Sequence, residues 1–321
     1  MSFLPTSPLK NLVRRAELIR RIRTFFDGHG FIEVETPVLS QDIVVDRHLE
    51  PFTVDIRNTA YYLQTSPEFA LKRLLAAGMT AIYQIGPVFR RGDRGTVHNH
   101  EFTMLEWYRV GEDYLAGMRF LSELIDAVLN REPAESVTLR SLFLQHAGMN
   151  PHTCGVTEFQ NFAKETDMVF PGSYRTGEAY REDWTDLIFS ERIQPKLGFL
   201  QPLIVYDYPD TQPQLARTVF LPEEKITVSQ RFELFIDGME LANGYHELLD
   251  PSELKQRFER INTLRKLDGK KSLPVESRLL AAMRHGLPPC SGTALGLDRL
   301  VMVALGAKSI DEVIPFPLEN A

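Results

Sequence analysis

His98-Asn-His-Glu-Phe-Thr-Met-Leu-Glu-Trp-Tyr-Arg-Val110 is the stretch on which the reading of the fold turns. Side chains alternate across a strand, so residues 101–110 read as a strand with Phe102, Met104, Glu106, Tyr108 and Val110 on one face. Glu106 then lies in the most apolar and aromatic run of its neighbourhood. A carboxylate buried there is costly unless a cation or hydrogen-bond donors meet it. The pattern leaves two readings open. One is a salt bridge to a core Arg or Lys. The other is a site for a cationic ligand, with Phe102 as a flat surface for a ring and Tyr108 as a polar neighbour.

Upstream, residues 81–90 read as a second strand ending at Arg90-Arg91, and the loop Arg91-Gly-Asp-Arg-Gly-Thr-Val-His-Asn-His100 joins the two. Guanidinium groups suit bidentate phosphate contacts. A glycine-bearing loop beside them can close over a nucleotide, or be no more than a solvated hairpin loop. His98 and His100 have no further ligand at metal spacing.

Working outward, Leu9, Leu12, Val13, Ala16, Ile19, Ile22 and Phe26 recur at helical spacing, which predicts a helix over 8–27. Ser7 would be its N-cap, Pro8 its first residue, and Gly28 or Gly30 its end. Residues 31–37 read as a short strand stopped by Pro37. A helix over 66–77 is opened by Ser66-Pro67-Glu68, and another is expected over 114–130. From about 131 to 200 helical pieces alternate with loops such as Gly148-Met-Asn-Pro151 and Phe170-Pro-Gly172, and no chemistry is evident. Pro202 to Tyr206 reads as a buried strand, 231–247 as a hairpin turning at Asp237-Gly238, and 251–267 and 276–285 as helices. Strands interleaved with helices and tight hairpins predict an α+β fold, an antiparallel β-sheet flanked by helices. No proline- or glycine-rich linker divides the chain, so residues 1–321 are expected to form one domain.

Two further constellations carry chemistry. Glu240 and Glu247 are seven residues apart and would face opposite sides of an uninterrupted strand. A bulge or turn at Asn243-Gly244 would reset the face and let the two carboxylates converge. Such a pair suits Mg²⁺ shared with substrate phosphates, and two surface glutamates are the alternative. Near the C-terminus, Ser291-Gly-Thr-Ala-Leu-Gly-Leu-Asp-Arg299 puts small residues 292, 294 and 296 on one strand face, which permits close approach of a backbone or ligand. Asp298 would cap a helix running to about Gly306, with Arg299 near an anion-favouring helix start.

The 321 residues are 43% hydrophobic and 25% charged, an ordinary globular composition. The formal net charge of −7 argues against a large sequence-independent nucleic-acid footprint. No apolar run reaches the roughly 18 residues of a membrane helix, and the first ten residues lack the apolar core of a secretory signal. Cys154 and Cys290 cannot build a disulfide framework, which suggests a reducing, cytoplasmic location.

Taken together these motifs resemble the class II aminoacyl-tRNA synthetases, in their lysyl branch. Glu35-Thr-Pro37 is similar to the end of the first signature, which in the family forms the dimer interface. Val88-Phe-Arg90 with His98 to Tyr108 resembles the second signature, and Gly292 to Arg299 the third. Thr65-Ser-Pro-Glu68 and Glu240-Leu-Ala-Asn-Gly-Tyr-His-Glu247 match as well. The first signature begins near residue 9, which leaves no room for the anticodon-binding barrel of lysyl-tRNA synthetases. The resemblance therefore narrows to the free-standing lysyl-synthetase-like ligases that attach (R)-β-lysine, or less well lysine, to a lysine side chain of elongation factor P. A truncated lysyl-tRNA synthetase and a non-catalytic regulator binding an amino acid or nucleotide are the competing expectations.

The resemblance implies ATP and Mg²⁺ as cofactors, a homodimer, and no anticodon-type tRNA binding. It implies that Arg90 contacts the α-phosphate and Arg299 the γ-phosphate, as the catalytic cations. Arg91, Gly92, His98, Asn99, Leu241 and Gly296 would belong to the ATP site, with Phe102 stacked on adenine. Glu240 and Glu247 would hold Mg²⁺, Glu247 lying beside the substrate too. Ser66, Pro67 and Glu68 would meet a substrate amino group, and Glu106 with Tyr108 the side-chain ammonium. Ala294 stands where lysyl-tRNA synthetases have glycine and would reshape the pocket. Gly92, followed by Asp93, stands where the family usually has glutamate, and His100 where it has proline.

Overall fold

The computed structural model describes residues 3–92, 94–170 and 177–321; Asp93 and the Pro171-Gly172 end of the expected 170–172 loop lie outside them. The chain begins with α1 (Leu9–Gly28), β1 (Ile32–Glu33), β2 (Leu39–Ser40), β3 (Thr53–Ile56), β4 (Thr59–Leu63), α2 (Glu68–Ala76), β5 (Ala81–Phe89) and β6 (Glu101–Val110). There follow α3 (Tyr114–Leu129), β7 (Glu135–Thr138), α4 (Leu139–Ala147), α5 (Val156–Glu165), α6 (Arg181–Ile188), β8 (Leu203–Pro209) and β9 (Thr218–Leu221). The last elements are β10 (Ile226–Ile236), β11 (Met239–His246), α7 (Pro251–Leu267), α8 (Arg278–Gly286), β12 (Cys290–Gly296) and α9 (Leu297–Leu305). They fall into two compact units, the first made of Met1–Asp113, Ala127–Leu129 and Leu249–Ala321, the second of Tyr114–Asp126 and Asn130–Leu248.

In the first unit β6 is flanked by β5 and β12, both antiparallel to it. The outer strand β1 runs parallel to β5, an exception to the antiparallel expectation. A small antiparallel sheet, β2-β4-β3, stands apart from this one. Helix α1 covers one sheet face: the Phe26 ring stacks on Tyr83 at 4.4 Å and meets Trp107 edge-on at 5.5 Å. Its buried stripe is Leu18, Ile22 and Phe26, whereas Leu9 and Val13 are exposed. The helix is also not capped as expected. Pro8 occupies the N-cap position with no side-chain cap, and the Ser7 hydroxyl donates instead to the Glu312 carbonyl at 2.5 Å.

In the second unit β10 is the axis, paired antiparallel with β8, β9 and β11, while β7 runs parallel to β8. Helices α4 to α6 and the turns after them supply its core, in which Phe143, Phe159, Trp184, Ile188 and Ile193 are sealed from solvent. The described helices within 131–200 therefore serve packing. The β10–β11 hairpin turns at Asp237 (φ 53°) and Gly238 (φ 76°), the left-handed pair that a two-residue turn demands.

The face along β11 is reset, but not at Asn243-Gly244. Phe235 pairs with Glu240 and Leu234 with Ala242, so the extra residue is Leu241. By alternation Glu240, Asn243 and Tyr245 then share a side, and Glu247 follows the strand in an isolated bridge with Ala216. Gly244 has another purpose: a methyl group there would overlap the ring of the fully buried Phe232 on β10. Gly244→Ala should therefore cost about 1–3 kcal/mol of stability by overpacking, read as a lowered midpoint in urea unfolding.

Candidate active site

The register of the first sheet builds the site row by row. Residues opposite one another in an antiparallel pair project to the same side. One row is Gln84, Glu106 and Ala294, the next Ile82, Tyr108 and Gly292, and the third Gly86, Met104 and Gly296. The small residues expected on β12 thus flank Glu106 and its neighbours on the face opposite Phe26. Helix α2 lies over that face.

Glu106 is 1% exposed. Its carboxylate accepts hydrogen bonds from the Tyr108 hydroxyl at 2.7 Å and the Ser66 hydroxyl at 2.8 Å. No cation is hydrogen-bonded to it among the described residues, so the core salt bridge considered from sequence is not what holds it. Burial, and after it the charge of Glu68, pushes its pKa up to about 7 against the two hydroxyl donors and Lys72. Ser66 also accepts from the Glu68 amide at 3.0 Å, so one hydroxyl both caps the start of α2 and tethers Glu106. Pro67 occupies the N-cap position itself.

Glu68 is buried and already bonded: Lys72, one turn along α2 and 2% exposed, donates to its Oε1 at 2.5 Å. The Lys72 ammonium also stands 5.9 Å from the centre of the Tyr108 ring. Reading the sequence passed over Lys72. The signal was the one that drew attention to Glu106, a charge inside an apolar run, here Phe69 to Leu75.

The phosphate-type residues form a second group in this unit. The Arg90 guanidinium lies 5.1 Å from the centre of the Phe102 ring. Arg90 and His100 exchange backbone and side-chain bonds across the hairpin, Arg90 N to His100 O at 2.9 Å and His100 Nδ1 to Arg90 O at 3.2 Å. Arg299 donates to His98 Nε2 at 2.6 Å and to the Val97 carbonyl at 3.3 Å, which brings two expected site residues together and requires an unprotonated Nε2 on His98. Asn99 is buried and donates to the Glu101 carbonyl at 2.8 Å. Gly296 runs alongside the Arg299 side chain, where an added methyl would meet Cδ at 3.7 Å. Arg91 is exposed and its amide donates to the Glu50 carbonyl at 2.7 Å, and Gly92 takes φ 94°. Fully buried Arg265 fixes that support by donating to Glu50 Oε1 at 2.8 Å.

Asp298 does not cap α9; Gly296 holds that position. Buried Asp298 instead accepts from Arg15 of α1 and, at 2.6 Å, from the Thr103 amide of β6, and Arg15 donates to the Thr103 hydroxyl at 2.8 Å. This ties α1 and α9 to the strand that carries Phe102. Asp298→Ala should cost about 3 kcal/mol by leaving Arg15 with its buried partner removed, seen as a fall in thermal unfolding temperature.

The acid pair is in the second unit. Glu240, on β11, is half-buried, and Glu247, directly past the end of that strand, is 1% exposed. On β10, Glu233 accepts from Tyr208 at 2.6 Å and from Arg231, and burial pushes its pKa up to about 7. His246 bonds Gln230 at 2.7 Å, a local role. Among the described residues no group of three His, Cys, Asp or Glu side chains could hold a metal unaided. Two carboxylates without a protein cage are the donor set that suits Mg²⁺ borrowed with a phosphate ligand.

The chain belongs to the class II tRNA synthetases (D, K and N), whose family model matches residues 5–320. Among curated relatives, the "Elongation factor P--(R)-beta-lysine ligase" of Hamiltonella defensa subsp. Acyrthosiphon pisum is 39% identical over 99% of this chain and 98% of its own length. The proteins of that name from Edwardsiella ictaluri and Klebsiella pneumoniae (strain 342) are each 40% identical, over 100% and 99% of this chain and 98% of their own lengths. Among the described residues no helix is long and apolar enough to cross a membrane.

Proposed function

We propose that this enzyme uses ATP to activate (R)-β-lysine, or lysine, as an aminoacyl-adenylate and transfers it to a lysine side chain of elongation factor P. Glu106 is the observation that carries the reading: a carboxylate sealed on the sheet face, with two hydroxyl donors and no hydrogen-bonded cation among the described residues. The names of relatives matched along nearly the whole chain support the amino acid and the acceptor. A family match spanning residues 5–320 supports one catalytic domain.

In the first step a carboxylate oxygen of the amino acid attacks the α-phosphorus, the bond to the bridging oxygen of the β-phosphate breaks, and pyrophosphate leaves. Arg90 and Arg299 stabilise the charge that accumulates on the phosphates, and Phe102 supports the adenine. Arg91, Gly92, His98, Asn99, Leu241 and Gly296 complete the proposed ATP site. Glu240 and Glu247 would hold Mg²⁺, which when bound supplies charge neutralisation to the phosphates. Glu106 and Tyr108 hold the side-chain ammonium, Ser66, Pro67 and Glu68 the other amino group. In the second step a neutral amine of the acceptor attacks the anhydride carbonyl, the bond to AMP breaks, and the amine loses a proton. Holding the reactants aligned is the protein's main contribution, since no protein nucleophile is needed.

Ala294 sits beside Glu106 in the sheet register, so its methyl borders the ammonium site. Ala294→Gly is expected to shift the ratio of kcat/KM toward lysine and away from (R)-β-lysine; an unchanged ratio would remove Ala294 from the specificity argument. Leu9, Val13 and Ile32, at 69, 59 and 56% exposure, are the apolar side chains we assign to a homodimer contact. A cytoplasmic location fits two buried cysteines that form no disulfide. Amino-acid-dependent pyrophosphate exchange tests the first step: exchange with lysine or (R)-β-lysine and none with leucine is expected, and none with either lysine isomer overturns the proposal.

A further inference from the structure

We propose that Lys72 is a built-in counter-ion that sets the net charge of the amino-acid pocket, so that Glu68 and Glu106 together accept a guest of net charge +1. This rests on the functional reading above, in which those two carboxylates meet the two amino groups of lysine or β-lysine. The geometry is a closed chain of contacts. Lys72 grips Glu68 Oε1 at 2.5 Å, stands over the Tyr108 ring, and Tyr108 in turn donates to Glu106 at 2.7 Å. Ser66 closes the chain, bonded to both the Glu68 amide and the Glu106 carboxylate.

Three ionisable side chains thus share one dry space: two acids and one base, with exposures of 7, 1 and 2% for Glu68, Glu106 and Lys72. With all three charged the pocket carries −1. A diamino acid with two ammoniums and one carboxylate carries +1, and the sum is zero. An ordinary zwitterionic amino acid leaves one buried charge uncompensated, which is expensive. Without Lys72 the empty pocket would carry −2, and like-charge repulsion would make Glu106 retain its proton to higher pH. Tyr108 is the other titratable group on β6 facing this space. From the flanking strands come Gln84 and Ala294, neither charged. Helix α8, packed on α2, buries Leu279, Leu280 and Met283 and leaves Arg284 and His285 exposed. Helix α7 contributes Phe258, stacked on Phe69.

Lysine-dependent pyrophosphate exchange measured across pH, with KM and kcat separated, tests the assignment in three variants. In Lys72→Met the acid limb of kcat/KM for lysine should move up by about one pH unit or more, with KM for ATP unchanged. In Glu68→Gln it should move down, because Glu106 loses a neighbouring negative charge and keeps a positive one. In Glu68→Gln/Lys72→Met the net charge returns to −1 and the limb should return to its place in the unaltered enzyme, whatever the loss in KM. A purely structural role for Lys72 predicts no such opposed movement, and a limb that stays fixed in the single variants overturns the proposal. Should Lys72→Met fail to fold, the double variant, which has no stranded charge, still decides: a displaced limb there overturns it. The unaltered enzyme run alongside separates the two levels, since absence of exchange with either isomer at any pH overturns the functional reading, whereas normal exchange with fixed limbs overturns this inference alone.

Discussion

Arg299→Ala should lower lysine-dependent pyrophosphate exchange by about 10³-fold, chiefly in kcat, while leaving the chain folded. Arg299 lies in the first turn of α9 and donates hydrogen bonds to His98 Nε2 and the Val97 carbonyl. A guanidinium that donates to a ring nitrogen and a carbonyl keeps its full positive charge to offer to a phosphate. The half-buried position makes its charge more effective there than in water. Arg299→Lys should recover only part of the loss, because an ammonium cannot reproduce the forked contact. His98→Ala should be milder, since it removes support for the guanidinium and not the charge. Equal defects in His98→Ala and Arg299→Ala would mean that the pair acts only in packing.

Glu106→Gln should raise KM for lysine by roughly 10²- to 10³-fold, the loss expected when one partner of a buried charge pair is removed. Gln keeps the size, its single amide oxygen can accept from one of Ser66 and Tyr108, and the other hydroxyl can turn to accept from the amide nitrogen, so stability should change only modestly. The unaltered enzyme carries its own pH test. Binding an ammonium requires ionised Glu106, and burial has raised its pKa to about 7. The kcat/KM for lysine should therefore rise with pH toward about 7 and level off above it, and Glu106→Gln should abolish that limb. The same shift acts on stability with the opposite slope. A carboxyl whose folded pKa lies above its unfolded value stabilises the fold at low pH, and this contribution fades as pH rises from about 4.5 to about 7.

Much of this could be read from residues alone because local and global patterns agreed. The strands expected at 81–90 and 101–110 are Ala81–Phe89 and Glu101–Val110, and the rows across them follow from alternation. The hairpin turn at Asp237-Gly238 was legible because only its residues tolerate that backbone. The misreadings share a cause, a tertiary partner far away in the chain. Gly244 suggested a bulge, but its lack of a side chain answers Phe232 on the next strand, and the bulge falls on Leu241, whose identity carries no such signal. Asp298 looked like a helix cap until Arg15, 283 residues away in sequence, claimed it. Leu9 and Val13 fitted the helical spacing, yet the stripe that meets the sheet is set by the aromatic surface of Tyr83 and Trp107. At the proposed amino-acid site the sequence pointed to Glu106 and its hydroxyl neighbour Tyr108. It did not reveal that Glu68 has a cation of its own, because an i to i+4 acid–base pair on a helix ordinarily reads as a solvent-exposed contact.

The central claim is that the activated lysine is handed to a protein amine. Elongation factor P, incubated with the enzyme, ATP, Mg²⁺ and (R)-β-lysine, should gain the mass of a single β-lysyl group on one lysine side chain, with AMP and pyrophosphate formed alongside. A parallel mixture in which tRNA is charged with lysine while elongation factor P keeps its original mass would contradict the account.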